Sequence, residues 1–337
     1  MPEKLLDIDT DETVRLSVID AQKLGERALL SLGYSSDEAS IVATHLVDAS
    51  MWGYEFAGLP RILIIADRPE LKKPRRPVSI VKETPVSALL DGGNHVGYVA
   101  ILRVVEVALE KARKSGIAIV GLRNSWFGGR SAYYLEKVAR AGFAAIYAAS
   151  STPTVVPSGA SEKALGTNPF AIALPGKVTP FIFDMGTASV MSGELLMKAF
   201  LGEEFSEVAG IDKNGSPTRN PRDMLDGGVF PFGGHKGYGL SVAIQALGLL
   251  VGSRLRNGDV SDFGYILIAF NPELFMPIEQ FTLELEELLT KIKSLPRQAG
   301  ISEIRIPSER GFREREIRRK QGILLNKLVF ERLGKMI

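Results

Sequence analysis

The segment of the chain best suited to chemistry is rich in glycine. Residues Phe232–Gly239 read FGGHKGYG and lead into an apolar run that predicts a helix over 238–252. Glycines at a helix start let backbone N–H groups approach an anion closely, and the helix dipole there favours phosphate or carboxylate. Lys236 adds a mobile positive charge. The segment therefore predicts an anion site formed by Gly234, His235, Lys236 and Gly237, although a glycine-rich turn without any ligand would show the same pattern.

This glycine order differs from that of a Rossmann dinucleotide fold. The spacing G-x-G-x-x-G is absent, and no acidic residue follows a strand at the distance that such folds need. A Rossmann fingerprint is therefore excluded for this segment.

Two further segments place polar groups beside apolar runs. Residues Leu165–Phe170 read LGTNPF, and Phe183–Ser189 read FDMGTAS. An acid at a strand end, followed by small hydroxyl residues, is a common way to present polar groups at the carboxyl edge of a sheet. Asp184 is thus a candidate for orienting polar groups, although a lone Asp at such a place also serves as a helix cap.

The elements that must position these segments alternate along the chain. Short apolar runs separated by amphipathic stretches indicate an α/β fold. Ser35 and Glu38 have the spacing of a capping box, and the proline-rich stretch 69–87 is a candidate lobe boundary. The predicted strands are 117–122, 143–149, 171–175, 181–185 and 265–270, and the predicted helices include 20–31, 133–141, 193–201, 238–252, 278–293, 309–320 and 325–335.

Composition narrows the class of protein. The 337 residues are 45% hydrophobic and 24% charged, with a net charge of +2, which is typical of a folded protein and gives no reason to expect nucleic-acid binding. The absence of cysteine excludes disulfides and Cys-based zinc sites, and we expect no metal. No apolar leader or membrane-length run is present, so we expect a cytoplasmic protein without membrane partners. Sparse Asn and Gln beside abundant charges suggest heat adaptation.

The order and spacing of these segments resemble those of a known family. Together with His45–Ala49, Asp212–Gly215, Ala269–Pro272 and Ile306–Glu309, they make residues 17–335 similar to the type-2 malate/L-lactate dehydrogenases. That family also includes ureidoglycolate, sulfolactate, diketogulonate and cyclic-ketimine reducing enzymes.

The resemblance implies an α/β fold with two lobes. A family-specific, non-Rossmann sheet lobe over 116–274 would bind NAD or NADP, and residues 1–115 with 275–337 would form a substrate and dimerisation lobe. The family implies a homodimer that acts on a small carboxylate. The implied cofactor contacts fall on Ser151, Asp184, Met185, Gly186, Gly234, His235, Lys236, Gly237, Ser308 and Glu309.

The chain departs from the family at its acid–base residues. Residues 52–58 (WGYEFAG) match the family's Arg-Gly-x-x-Ser-His-Gly, so Ala57 replaces the proton-donating histidine. Trp126 likewise replaces a second histidine. General acid catalysis contributes about 10²–10⁴-fold, and neither replacement can transfer a proton. Arg61 is retained and is expected to hold a substrate carboxylate.

Nearby residues are candidates to supply the missing proton. Tyr54 and Glu55 lie closest in sequence to Ala57, and His95 is a third candidate. The catalytic set predicted from the sequence is therefore Arg61, Asp184, Tyr54 and Glu55.

Three hypotheses follow. The first is an NAD(P)-dependent dehydrogenase that moves a hydride between nicotinamide and a small 2-hydroxy or 2-keto acid, like malate or lactate, or a related imine. The second is a catalytically impaired homologue that binds NAD(P) as a sensor or assembly partner. The third is a protein that uses the fold structurally and binds no dinucleotide.

Overall fold

The computed structural model describes residues 12–256, 259–260 and 262–337. It divides into two compact units, one formed by the chain up to Lys73 with Glu309–Ile337 and the other by Pro74–Ser308. Across the described residues, no helix is both long and apolar enough to cross a membrane. In chain order the elements are β1 Thr13–Leu16, α1 Val18–Ser31, α2 Ser36–Met51, α3 Arg61–Ala66, β2 Ser79–Thr84, β3 Ser87–Asp91, α4 Gly97–Ser115, β4 Ile117–Arg123, α5 Ser131–Arg140, β5 Ala144–Ser150, β6 Phe170–Leu174, β7 Phe181–Met185, α6 Ser192–Leu201, β8 Gly210–Ile211, β9 Pro217–Thr218, α7 Pro221–Asp226, β10 Gly228–Val229, α8 His235–Leu250, β11 Leu255–Arg256, β12 Asp259–Val260, β13 Gly264–Phe270, α9 Ile278–Lys293, α10 Glu309–Gln321, β14 Ile323–Asn326 and α11 Lys327–Gly334.

The terminal unit is helical and joins both ends of the chain. The predicted capping box is confirmed, because the Glu38 amide donates to Ser35 Oγ (3.3 Å) and the Ser35 amide donates to Glu38 Oε2 (2.8 Å). The helix that it opens, α2, buries a continuous apolar face against α1. Strands β1 and β14 pair antiparallel and bring the N-terminal and C-terminal segments together.

The central unit is built on a seven-stranded mixed sheet. Its order is β2-β3-β4-β13-β5-β6-β7, and only the β3–β4 pair is parallel. Helices α4 and α5 cover one face, where Tyr134 stacks on Tyr147. Helix α8 lies on the opposite face, and its Gly248 packs directly against Ser150 and Gly264. The α/β class is therefore confirmed, with a largely antiparallel sheet.

The unit boundaries differ from those predicted. The sequence placed the lobe boundaries at 115/116 and 274/275, whereas the units divide at 73/74 and 308/309. The physical reason is the sheet itself: β3 forms a parallel ladder with β4, from Ser87↔Ile119 to Asp91↔Arg123, so residues before 116 belong to it. The proline-rich stretch 69–87 does contain the first observed boundary.

Candidate functional site

Four chain segments converge at one end of the central sheet. Because β6 is antiparallel to both neighbours, the ends of β5 and β7 lie beside the start of β6. Backbone hydrogen bonds of 2.9 Å join Thr187 to Thr167 and Phe232 to Thr187. These bonds bring the glycine-rich turn to the same edge. The structure therefore gathers Ser151, Met185, Gly186 and the turn in one region of this unit.

A buried amide cross-links these segments. Asn168 is fully buried, and its Oδ1 accepts from the Ser151 amide at 3.0 Å. Its Nδ2 donates to the Ser241 carbonyl (3.0 Å) and to Gln245 Oε1 (2.9 Å) on α8. The sequence pattern marked the segment that carries Asn168 but missed Ser241 and Gln245, although two polar residues four apart in a largely apolar stretch of α8 were a visible signal.

The glycine-rich turn has the geometry that an anion needs. Gly233 and Gly234 adopt positive φ angles of 56° and 62°, and a Cβ added at either would meet no atom within 4 Å. Helix α8 begins at His235 without a side-chain cap, so its first amides are not occupied by a capping side chain. His235 and Lys236 are exposed. Open amides, a helix dipole and a lysine together suit a phosphate group.

Asp184 is engaged by a helix. Its Oδ2 accepts a hydrogen bond from the Ala132 amide at 2.8 Å, in the first turn of α5. Burial raises the pKa of the Asp184 carboxyl, while the Ala132 bond and the Arg130 charge oppose that rise. The geometry is that of a helix cap supplied from a neighbouring strand.

Two further candidates lie where the units divide in sequence. Ser308 ends the central unit with a positive φ of 65°, and its hydroxyl donates to the Ile182 carbonyl of β7 at 2.7 Å. Glu309 begins α10 and belongs to the terminal unit. Ser308 thus lies beside the start of the edge strand β7, at the other end of that strand from Met185.

Glu55, in the terminal unit, is tied to an arginine. Its Oε1 accepts from Arg318 Nη1 at 2.5 Å, and the same guanidinium bonds the Ser50 carbonyl (2.9 Å) and Glu314 (3.2 Å). The Glu55 carboxylate is therefore engaged in a charge-assisted ion pair with Arg318.

Tyr54 is arranged differently. Its ring stands edge-on to Phe56 at 6.1 Å, and the Arg310 guanidinium lies 5.4 Å from the ring centroid. Its hydroxyl makes no hydrogen bond with any described residue. Arg61 begins α3 and is half-buried, and Ala57 ends a 3₁₀ turn.

Trp126 and His95 are neighbours in the central unit. The Trp126 indole is buried and donates from Nε1 to the Asn94 carbonyl at 3.1 Å. Ser125 Oγ donates to the His95 carbonyl at 2.8 Å. The backbone of His95 therefore runs alongside the segment that carries Trp126.

Comparison with known proteins gives a consistent result. A family model described as malate/L-lactate dehydrogenase matches residues 16–334. Malate dehydrogenase from Pyrococcus abyssi is 35% identical over 92% of this chain and 90% of its own. L-sulfolactate dehydrogenase from Methanocaldococcus jannaschii is 35% identical over 93% of both chains.

A solved structure agrees with the sequence relatives. Malate dehydrogenase from Pyrococcus horikoshii superposes with a TM-score of 0.86 and 30% identity, over 97% of this chain and 95% of that one. Fold, motif order and nearly full-length similarity lead to one conclusion: the chain belongs to the malate/L-lactate dehydrogenase family.

Proposed function

We propose that the chain is an NAD(P)-dependent oxidoreductase that transfers a hydride between nicotinamide and a small 2-hydroxy or 2-keto acid. The observation that carries this proposal is the open glycine-rich turn at the start of α8, set beside three strand ends. Relatives are named for malate, sulfolactate, ureidoglycolate with NAD(+), and Δ1-pyrroline-2-carboxylate, so a related imine is within the proposed range.

The cofactor would be held by the residues at this sheet edge. The amides of Gly234–Gly237 and the Lys236 ammonium would meet its phosphates, and Ser151, Met185 and Gly186 would border it. Ser308 is a weaker candidate, because its hydroxyl bonds the Ile182 carbonyl near the start of β7, and Glu309 belongs to the terminal unit. When bound, the nicotinamide supplies or accepts the hydride, and the protein positions it against the substrate.

We propose Tyr54 as the group that donates a proton to the substrate during reduction. Ala57 and Trp126 carry no acid group, and Glu55 is bound by Arg318. The Tyr54 hydroxyl, free of any described partner, would donate to the substrate's carbonyl oxygen during reduction and accept the proton back during oxidation. His95 is the second candidate, because its backbone lies against the Trp126 segment. The role of Arg61 as a carboxylate ligand stays a prediction from the sequence; its side chain is half-buried at the start of α3.

An impaired homologue is the second candidate function. Helix capping engages Asp184, and we infer from the sequence resemblance that Ala57 and Trp126 occupy the family's two histidine positions. A protein in this condition would still bind NAD(P) at the α8 turn and would serve as a sensor or assembly partner.

Turnover assays separate these two functions. A panel of 2-keto acids and cyclic imines is assayed with NADH and NADPH by loss of reduced-nicotinamide absorbance. The proposed function predicts turnover of at least one substrate. Saturable NADH binding with no turnover across the panel would support the impaired homologue.

We also propose a homodimer, supported by the composition of α8. Its buried face consists mainly of small or polar residues, whereas Val242, Leu247, Leu249 and Leu250 are exposed, with Leu250 at 77%. The segment 237–253 carries no charge. An apolar, uncharged outer face suits contact with an identical copy, because like charges would repel across a two-fold axis.

A further inference from the structure

Arg310 is a half-buried cation that has no anionic partner among the described residues. It lies in the first turn of α10, with its guanidinium 5.4 Å from the Tyr54 ring centroid. Across the described residues it forms no ion pair and no hydrogen bond. Partial burial of an uncompensated charge costs free energy, so a bound anion would stabilise this arrangement.

Neighbouring arginines on the same helix are compensated. Arg315 lies 3.6 Å from Asp48, Arg318 pairs with Glu55 and Glu314, and Arg319 pairs with Glu316 at 2.8 Å. Arg61, the carboxylate ligand predicted from sequence, also has interactions within the chain. The positive charge of Arg310 is therefore available to an anionic ligand, whereas the charges of the other arginines named here already interact within the chain.

The Arg310 guanidinium lies beside the Tyr54 ring and next to Gly53, a setting that suits a planar anion. No described residue accepts a hydrogen bond from the guanidinium N–H groups. The planar fork of an arginine matches a carboxylate in a bidentate pair. Gly53, at φ +80°, keeps the adjoining space open, because a Cβ there would lie 3.1 Å from Arg310 Nη1.

We propose that Arg310 binds the carboxylate of the substrate, with the Tyr54 ring as its platform. The substrate class is a small 2-keto or 2-hydroxy acid, whose reacting carbon is bonded directly to the carboxylate carbon. Anchoring the carboxylate beside Tyr54 brings the carbonyl oxygen towards the Tyr54 hydroxyl. This assignment rests on the proposed function and adds a specificity-determining residue to it.

The test uses oxamate, a non-reducible isostere of pyruvate, titrated into the NADH-saturated full chain. Arg310→Gln should weaken oxamate binding and raise the KM for a 2-keto acid about 10- to 100-fold, as expected for loss of a charge-assisted pair. Arg310→Lys keeps the charge but loses the fork, and should show a smaller loss. The Kd for NADH should not change in either variant, and neither variant should melt below wild type in the absence of substrate.

Arg319→Gln is the matched control, since Arg319 lies on the same helix and is exposed. It should behave as wild type. The Arg310 proposal is overturned if Arg310→Gln keeps wild-type oxamate affinity and KM, or if NADH-saturated wild type binds no oxamate. If wild type does not bind NADH at all, the proposed function itself is wrong. That result would also remove the substrate role of Arg310.

Discussion

At the residue scale, hydrogen bonding separates candidates that sequence position could not. Tyr54 and Glu55 both lie within three residues of Ala57 in the chain, but Glu55 is bound by Arg318 at 2.5 Å while the Tyr54 hydroxyl has no described partner. Asp184, a catalytic candidate by its place at a strand end, instead accepts from the amide of Ala132. These contacts favour Tyr54 among the proposed proton donors.

Replacing Tyr54 with Phe tests that assignment. The ring and its contact with Arg310 remain, so the KM for the keto acid and the Kd for NADH should change less than about threefold. Loss of the proton donor should lower kcat by about 10²–10⁴-fold. Steady-state kinetics with His95→Gln in parallel provides the comparison, and an unchanged kcat in Tyr54→Phe with a large loss in His95→Gln would transfer the role to His95.

Asp184 gives a second residue-scale prediction. If it acts as a cap, Asp184→Asn keeps an acceptor for Ala132 and should leave NADH affinity and kcat unchanged. Asp184→Ala should cost about 1 kcal/mol of stability, which chemical denaturation measures. Asp184→Asn that folds normally but loses turnover would show a catalytic role instead.

The raised pKa of the Asp184 carboxyl predicts how the stability of wild type depends on pH. Burial raises the folded pKa of Asp184, so its contribution to stability is fully present below the unfolded value of about 4 and is lost as pH rises through the folded pKa. Relative to Asp184→Asn, wild type should therefore be more stable at pH 4 than at pH 8. An equal difference in unfolding free energy at the two pH values would contradict the burial effect.

At the element scale, strong periodicity was enough to predict the main helices and strands. The prediction for α9 is confirmed over 278–293, and β7 over 181–185, because each has a clear apolar period. Strands β1 and β14 were missed, since four residues are too few to show alternation. The insertion of β13 between β4 and β5 could not be predicted, because register between segments over a hundred residues apart depends on tertiary packing.

The same limit applies to the candidate site. The glycine-rich turn was predictable because glycine order has a local meaning, whereas the Asn168 cross-link to Ser151 and Gln245 joins residues that only folding brings together. Pairings such as Glu55 with Arg318 likewise span most of the sequence.

The outer face of α8 supports a prediction about assembly. Leu247→Glu with Leu250→Glu places charges on that face, and should convert a dimer into a monomer because like charges would face each other across the interface. Light scattering coupled to size exclusion measures the mass. Val178→Glu, at a site 80% exposed in the loop between β6 and β7, is the control and should stay dimeric. A wild-type monomer, or a dimer unaffected by the double change, would refute the α8 interface.

At the scale of the whole molecule, charge and composition point to heat resistance. Arg318 links Glu55, Glu314 and the Ser50 carbonyl within the terminal unit. Such ion-pair networks contribute more to stability at high temperature. The chain also carries few Asn and Gln residues. We expect a melting temperature above the range of about 45–65 °C that is usual for mesophile domains. Calorimetry giving a transition within that range would remove the heat-adaptation hypothesis.

The most direct test of the proposed function is an NADH titration of the full chain, followed by intrinsic fluorescence and by melting temperature. Saturable binding is expected, with a stabilisation of about 2.7 kcal/mol at one hundred times Kd. Lys236→Ala should weaken binding, whereas Lys213→Ala, in the turn between β8 and β9, should not. If saturating NADH and NADPH leave both fluorescence and melting unchanged, the α8 turn does not hold a dinucleotide, and the assigned activity is wrong.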